Sequence, residues 1–248
     1  MSEKHSQKWK SAESEPLPVP ILVTGIDEIR EYTKYADSVF GVDESDPTLE
    51  RWTPEYIATH TDTVGLFVAY GSDKEIKGGG LVTILSKAEA LEKLFNQSYL
   101  TKEKIAIFEY QVVREEDRRK GLARELTEKR LQWAREHGAT LALSEIETVN
   151  PISAHAKTRE GFVFIGIQSD EYSDAPLLVA VKPLVEAEVF GESIKNTTPI
   201  YEHVVMSVKE DSHSELDALF REGWIGIDAQ VGESEEEIVL TLRRAKLS

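Results

Sequence analysis

The stretch IAIFEYQVVREEDRRKGLARELTEKRLQWAREHG, residues 105–138, decides the fold of this chain. Its first nine residues are apolar on both faces and predict a strand buried inside a sheet. From Leu122 onward, apolar residues recur every three or four positions and predict a long amphipathic helix that ends at Gly138. A strand, a turn containing Gly121 and a helix follow one another, which is typical of a mixed α/β domain.

Flanking patterns extend this unit in both directions. Upstream, the sequence predicts one strand, two helices, an antiparallel hairpin and a further helix, at residues 20–23, 26–40, 53–60, 64–85 and 86–100. Downstream, it predicts a strand, a helix and a closing antiparallel pair, at residues 139–148, 150–160, 162–167 and 176–181. The prediction is therefore a mixed α/β domain over residues 19–184.

The two ends of the chain differ from this domain. Residues 1–18 are polar and without periodicity, which predicts a flexible tail. Residues 185–248 contain 14 acids and 6 bases, whereas residues 1–184 contain 31 and 23, so each part has a net charge of −8. This shift in composition, together with a strand, a helix and two strands, predicts a small βαββ accessory domain of unknown role.

Composition excludes several classes of function. With 248 residues and a net charge of −16, the chain is a poor candidate for binding nucleic acids or anionic membranes. It has no cysteine, so thiolate catalysis and Cys-ligated zinc are excluded, and no group of residues with metal-ligand spacing stands out. No apolar run is long enough to span a membrane, and no signal peptide is recognisable, so the expected location is the cytoplasm.

One segment of this acidic chain is basic. From Arg114 to Arg135 there are eight bases against five acids, and several of the bases surround Gly121 at the start of the predicted helix. Free N–H groups in the first turn of a helix carry partial positive charge and bind phosphate. The segment therefore predicts a site for a phosphorylated ligand, with an ordinary solvated surface as the alternative.

Two motifs resemble the GNAT superfamily of acyl-CoA N-acyltransferases over about residues 21–184. The first, Arg118-x-x-Gly121-x-Ala123, resembles the pyrophosphate loop of that family, and Val113 stands five residues before it, where the family's fourth strand ends. The second, Asn150-Pro-Ile-Ser153 followed by Gly161-Phe162, resembles a later family segment. The resemblance implies a mostly antiparallel central sheet flanked by helices.

The resemblance also implies a site for acetyl-CoA as acyl donor. The backbone N–H groups of residues 119–124 would hold the pyrophosphate, and the Val113 N–H would bond the acyl carbonyl. The fourth and fifth strands would separate to admit the pantetheine arm, while Asn150 would contact that arm or cap the following helix. The implied cofactor-binding residues are Val113, Arg118, Arg119, Lys120, Gly121, Leu122, Ala123, Arg124, Asn150 and Ser153.

Direct attack of an amine on the thioester needs a base, and Glu109 is the candidate. It lies four residues before Val113, which in a regular strand places both side chains on one face. A structural carboxylate is the alternative, and Glu145 and Glu147 are weaker candidates. The family often has a tyrosine as proton donor seven residues after the asparagine. Lys157 stands there in this chain, with Ser153, His155, Tyr172 or solvent as alternatives.

The sequence therefore predicts an N-acetyltransferase that moves an acetyl group from acyl-CoA to a primary amine of a small molecule or protein. The alternative is a CoA-binding sensor or protein-interaction module with this fold and little turnover. Four carboxylates in residues 41–50 would favour a cationic acceptor, although a charged loop is expected in any acidic chain. A homodimer is a further possibility.

Overall fold

The computed structural model of this protein describes residues 16–40, 52–86, 104–169, 175–185, 201–234 and 236–245. The acidic residues predicted to border the acceptor, most of the helix predicted over residues 86–100, and Tyr172 lie outside the described residues.

The described strands form one sheet in the order β1-β2-β3-β4-β5-β7-β6-β9-β10-β8. All neighbours are antiparallel except β4 and β5, which are parallel. The strands are β1 Ile21–Val23, β2 Val64–Tyr70, β3 Ile76–Ser86, β4 Lys104–Val113, β5 Leu141–Glu147, β6 Val163–Gln168, β7 Leu177–Pro183, β8 Tyr201–Val208, β9 Ile225–Val231 and β10 Ile238–Ala245. The mixed, mostly antiparallel sheet expected from the sequence is confirmed.

Helices cover both faces of the sheet. The described helices are α1 Ile26–Phe40, α2 Pro54–Thr59, α3 Leu122–Glu136, α4 Pro151–Arg159 and α5 His213–Arg221. Helices α1 and α2 pack on one face of β2, β3 and β4, which we call the α1 face. Helices α3, α4 and α5 share one core cluster on the opposite face, which we call the α3 face.

Three consecutive glycines in β3 allow helices to approach the sheet closely from both sides. On the α1 face, a Cβ at Gly79 would overlap the ring of Tyr32 from α1. On the α3 face, a Cβ at Gly80 would lie 3.0 Å from Cζ of Arg130 from α3. Glycine in the interior of a strand commonly marks such close approach. Strand β3 starts at Ile76, because these glycines pair with β2 and β4.

The C-terminal residues form the predicted strand, helix and two strands, but one local prediction about them is wrong. The sequence Ser212-x-x-Glu215 predicts a capping box, yet the Ser212 side chain makes no capping bond to α5. Its hydroxyl instead accepts from the Lys209 N–H at 2.7 Å. Strand β9 pairs with β6, so these elements continue the same sheet, and the division at residue 184 stays a prediction.

Candidate functional site

The parallel strands β4 and β5 pair over only part of their length. Their register runs from Ile105 opposite Leu141 to Phe108 opposite Ser144 and stops there. Beyond this point β4 continues to Val113 and β5 to Glu147 without pairing with each other. The predicted separation of the fourth and fifth strands is therefore present, and it opens a gap in the middle of the sheet.

A β-bulge lies in β4 beside this gap. Gly80 of β3 is opposite Gln111 and Val82 is opposite Phe108, so the single residue Leu81 faces both Glu109 and Tyr110. An extra residue shifts the alternation of side chains by one position. The prediction that Glu109 and Val113 share a face is therefore wrong. Glu109 lies on the α1 face of the sheet, whereas the Val113 side chain packs against the α3-face core.

The backbone of Val113 faces the gap. The N–H of Arg114 donates to the carbonyl of Lys77 on β3 at 2.9 Å. In an antiparallel pair, successive residues direct their N–H and C=O groups to opposite sides, so those of Val113 point away from β3. Its carbonyl accepts from Nε of Arg118 at 3.2 Å, and its N–H points to the side from which β5 has departed.

The turn between β4 and α3 contains two left-handed residues. Arg119 has φ 61° and Gly121, the N-cap of α3, has φ 97°. Gly121 has no side chain to cap the helix, so the N–H groups of the first helical turn remain free for a ligand. Such a run of exposed N–H groups forms an anion-binding concavity. Leu17 from the N-terminal segment lies against this turn, 3.5 Å from the place of a Cβ at Gly121.

The charged side chains of this turn divide into two groups. Arg118, Arg119 and Arg124 are exposed at the start of α3. Lys120 instead forms an ion pair with Asp117 at 2.9 Å, so it is already partly neutralised. Leu122 is buried, so it offers a ligand only its backbone. Ala123 offers its N–H, since its carbonyl already accepts from Gln111 at 3.2 Å.

Asn150 is the N-cap of α4. Its Oδ1 accepts from the N–H of Ser153 at 3.1 Å, and Pro151 occupies the first turn. The sequence left two roles open for Asn150, and the structure shows that it caps α4. Asn150 is exposed and Ser153 is half-buried at the same helix end.

Lys157 is buried on the α3 face. Its Nζ is 2.9 Å from Oε2 of Glu160 and 5.7 Å from the ring centre of Phe108, the last β4 residue paired with β5. Burial lowers the pKa of Lys157 to about 8, because desolvation disfavours the charged form more than Glu160 restores it. The Lys157 ammonium group therefore loses its proton close to neutral pH. It lies near the point where β4 and β5 separate.

Arg130 is a residue that the sequence analysis did not assign to the site. Its guanidinium is buried and donates to the carbonyl of Leu81, opposite the bulge, at 3.1 Å and to the side chain of Gln111. It also lies 4.7 Å from the ring centre of Phe108. Burial lowers its pKa to about 10. The sequence did contain a signal for this role, because Arg130 lies on the apolar stripe of α3 and arginine is rarely buried without specific partners.

Aromatic rings and carboxylates lie together on the α1 face of the bulge. The rings of Tyr32 and Tyr110 stack with centres 6.2 Å apart and planes 9° apart. Burial raises the pKa of Tyr110 far above its usual value, and the charges of Asp37 and Glu109 raise it further. The hydroxyl of Tyr32 is buried and has no hydrogen-bond partner among the described residues.

The weaker base candidates lie on β5. Glu145 is half-buried, and its Oε1 accepts from the side-chain amide of Gln168. Glu147 is exposed at the end of the strand. Neither is on the bulge. His155, one of the alternative proton donors, faces β9 and not Lys157, since its Nδ1 lies 2.7 Å from the carbonyl oxygen of Ala229.

These residues fit a phosphorylated ligand bound at α3. Free N–H groups, two left-handed residues and three exposed arginines meet at the mouth of a gap between two strands. In the described ranges, no three His, Asp or Glu side chains are grouped as a metal would need. None of the described helices has the length and apolar character required to cross a membrane.

Comparison with known proteins agrees with this geometry. The sequence model of the acetyltransferase (GNAT) family matches residues 28–162, more than half of the chain. No curated protein matches. Among solved structures, a putative GNAT-family acetyltransferase from Desulfovibrio desulfuricans has 11% identity and a TM-score of 0.52, over 67% of this chain and 98% of its own. That similarity shows a shared fold.

Two further solved structures are similar to part of the chain. Nourseothricin acetyltransferase has 25% identity and a TM-score of 0.40, over 50% of this chain and 66% of its own. Arabidopsis thaliana NAA60, solved in complex with acetyl-CoA, has 11% identity and a TM-score of 0.49, over 66% of this chain and 97% of its own.

Proposed function

Because the chain belongs to the acetyltransferase (GNAT) family, we propose that it moves an acetyl group from acetyl-CoA to a primary amine by direct attack in a ternary complex. The observation that carries this proposal is the gap between β4 and β5, which opens beside the uncapped N-terminus of α3. A thioester placed in this gap has a phosphate site at one end and the bulge of β4 at its side.

The first turn of α3 binds the pyrophosphate of acetyl-CoA in this proposal. The N–H groups of residues 119–124 donate to the phosphate oxygens, and the positive end of the helix dipole adds to their attraction. Arg118, Arg119 and Arg124 supply formal charge, since they are exposed at the same place. Lys120 contributes less because Asp117 already pairs with it.

The N–H of Val113 polarises the acyl carbonyl. It points into the gap because the neighbouring Arg114 bonds to β3. A fixed donor of this kind stabilises the negative charge that develops on the carbonyl oxygen during attack. Arg118 donates to the Val113 carbonyl, so the peptide unit that follows Val113 is also fixed in direction.

Glu109 removes the proton from the attacking amine. The bulge directs its carboxylate to the α1 face, where an acceptor approaches from the side opposite α3 and α4. Lys157 supplies a proton to the departing thiolate from the α3 face. A lysine whose pKa is about 8 is suited to this step, because a thiol has a similar pKa.

The acceptor in this proposal is a cationic amine. Negative charge from Asp37 and Glu109 acts on Tyr110, and the stacked ring of Tyr32 lies beside it. Carboxylates attract cations, and the half-buried ring of Tyr110 adds an aromatic face beside them. The proposal therefore predicts that a diamine or polyamine is a better acceptor than a neutral amine of the same length.

The experiment is acetyl-CoA turnover with a panel of amines, in which charge varies and length is held constant. Release of free CoA with acetylated product supports the transferase, and the ranking of the panel tests the acceptor class. Tight binding of acetyl-CoA with no turnover on any amine would favour the alternative, a CoA-binding sensor. The ion pair of Lys157 with Glu160, in the place of the usual tyrosine, is the observation that favours this alternative.

A further inference from the structure

The C-terminal elements repeat the end of the first domain at a constant spacing. Adding 62 to each residue number converts α4, Pro151–Arg159, into α5, His213–Arg221. The same shift places β5, β6 and β7 on β8, β9 and β10, with ends that agree within two residues. The strand orders β5-β7-β6 and β8-β10-β9 are also equivalent, since the last strand lies between the other two in each.

The amino-acid sequence follows this repeat. Arg159-Glu-Gly-Phe162 corresponds to Arg221-Glu-Gly-Trp224. Both glycines end their helices in left-handed conformation, with φ 85° at Gly161 and 86° at Gly223. Eight residues are identical between 151–183 and 213–245, at the pairs Ala156/Ala218, Arg159/Arg221, Glu160/Glu222, Gly161/Gly223, Ile165/Ile227, Gln168/Gln230, Glu171/Glu233 and Leu178/Leu240.

Side-chain packing repeats as well. Equivalent positions lie in one core cluster, at the pairs Ile146/Val208, Ala154/Leu216, Phe162/Trp224, Leu178/Leu240 and Ala180/Leu242. In the first copy Lys182 donates to the carbonyl of Glu160 at 2.6 Å. In the second copy the equivalent Arg244 pairs with the carboxylate of Glu222 at 3.2 Å. A basic residue at the equivalent position therefore contacts the residue at the end of the helix in both copies.

The two copies face each other as the halves of a symmetric dimer do. Strands β6 and β9 pair antiparallel through Phe164 and Gly226, which are equivalent residues under the shift of 62. Helix α4 of the first copy packs on β9 of the second, and α5 of the second copy packs on β6 of the first. A contact in which equivalent elements exchange places is isologous, the geometry of a two-fold dimer interface.

We propose that residues 201–245 are a second copy of the β5-α4-β6-β7 unit and act as a built-in partner subunit at the β6 edge. The difference between the copies makes this pairing specific. A Cβ at Gly226 would lie 2.9 Å from Cβ of Phe164, so the glycine provides room for that side chain. Two β6 strands from separate chains would place Phe164 opposite Phe164, without this room.

The second copy also holds α4, the helix that carries part of the site, in position. This inference rests on the proposed function. His155 of α4 donates from Nδ1 to the carbonyl of Ala229 on β9 at 2.7 Å. Two residues later on the same helix, Lys157 reaches the α3 face beneath Phe108. His155 is thus a positioning residue, which acts on the reaction through the placement of α4.

The pairing is tested first, with no reference to activity. The natural chain has no cysteine, so cysteines can be placed at will in the full chain. Residues 163 and 227 flank the Phe164–Gly226 pair on neighbouring antiparallel strands, and directly opposite residues are within disulfide reach. The Val163→Cys, Ile227→Cys double variant is oxidised and its mass is determined under non-reducing conditions, with each single variant as control.

We expect an intramolecular disulfide in a single chain. A disulfide between two chains would overturn the proposal, because the second copy would then pair with another molecule. Free thiols in the folded double variant would also overturn it, since β6 and β9 would not be neighbours.

The positioning role is tested by kinetics. His155→Ala is expected to lower kcat about fivefold, the effect of one lost hydrogen bond, and His155→Asn to restore most of the activity because its amide can donate as Nδ1 does. The matched control is Asp217→Ala, at the equivalent position of α5, which carries no residue of the site. Equal losses in both alanine variants, or no rescue by asparagine, would show that His155 does not act through α4. If the wild-type chain has no activity, the proposed function fails and the disulfide result still stands.

Discussion

Phe108 of β4 and Ser144 of β5 are the last residues that pair before the two parallel strands separate. Two buried basic groups lie near the ring of Phe108, with the guanidinium of Arg130 at 4.7 Å and Nζ of Lys157 at 5.7 Å from its centre. The closed end of the gap thus has two basic side chains on the α3 face, of which Lys157 is paired with Glu160. In the proposed reaction, these groups would stabilise the negative charge that the thioester sulfur acquires on cleavage.

Gly121 is needed for its backbone conformation. There is space for a methyl group beside Leu17, so the effect of Gly121→Ala comes from its φ of 97° and from the added bulk toward the phosphates. We expect a rise of about fivefold in the Kd for CoA by calorimetry, since a strained residue of this kind costs about 1 kcal/mol. Gly138→Ala, at the other end of α3 with φ 80°, carries the same strain away from the ligand. It should destabilise the fold and leave the Kd unchanged; a weakened Kd in both variants would contradict a local role.

Glu109→Gln tests the base. The amide keeps the shape of the side chain and cannot accept a proton, so kcat is expected to fall about 100-fold while KM for acetyl-CoA stays within about twofold. Glu147→Gln, on the neighbouring strand and exposed, is the control and should behave as wild type. If Glu147→Gln is the impaired variant, the base lies on β5.

Lys157 predicts a pH dependence with a definite sign. As a proton donor it must be charged, so kcat should fall as pH rises through its pKa of about 8. This decline should be absent in Lys157→Met. Lys182 lowers the pKa of Lys157 by charge repulsion, so Lys182→Met should move the decline to higher pH. A decline that is unchanged in Lys157→Met would assign it to another group.

The same pKa shift affects stability. Above pH 8 the native Lys157 has lost its proton, whereas the unfolded chain keeps it until the ordinary lysine pKa of 10.5. The unfolded state then binds more protons, so this residue makes the free energy of unfolding rise with pH in that window. Urea denaturation of wild type and Lys157→Met across the window measures the difference, which should vanish in the variant.

Arg130 stabilises the bulge through hydrogen bonds, so its substitution should lower the free energy of unfolding. Arg130→Met leaves the Leu81 carbonyl and the Gln111 side chain without their buried donor. We expect the free energy of unfolding to decrease by about 3 kcal/mol in urea denaturation, because each buried acceptor left without a donor costs about 1–3 kcal/mol. Lys129→Met, one residue earlier on α3, should change it little. A loss below about 1 kcal/mol would show that the network contributes little to stability.

Much of the fold followed from the sequence, because its signals are local. The apolar strand ending at Val113, the glycine at 121 and the periodic helix after it are contiguous, and the structure has each of them. The bulge was not predictable in this way. One additional residue in β4 leaves no mark in the hydrophobic pattern, yet it moved Glu109 to the other face relative to Val113.

Two other features depended on contacts between distant residues. Arg130 finds its partners on β3 and β4, 49 and 19 residues away, so its role is set by tertiary structure. The repeat was visible in Arg-Glu-Gly-aromatic at residues 159–162 and 221–224, but the other identities are scattered. Only the equal bounds of α4 and α5 and the pairing of Phe164 with Gly226 show its significance.

The most direct test of the account is release of free CoA from acetyl-CoA by the full chain in the presence of a cationic diamine. Wild type should release CoA in proportion to acetylated amine. Gly121→Glu should bind no acetyl-CoA and release none, because a carboxylate at the N-terminus of α3 would occupy the place of the pyrophosphate. Binding of acetyl-CoA by Gly121→Glu as tight as by wild type would contradict the proposed site.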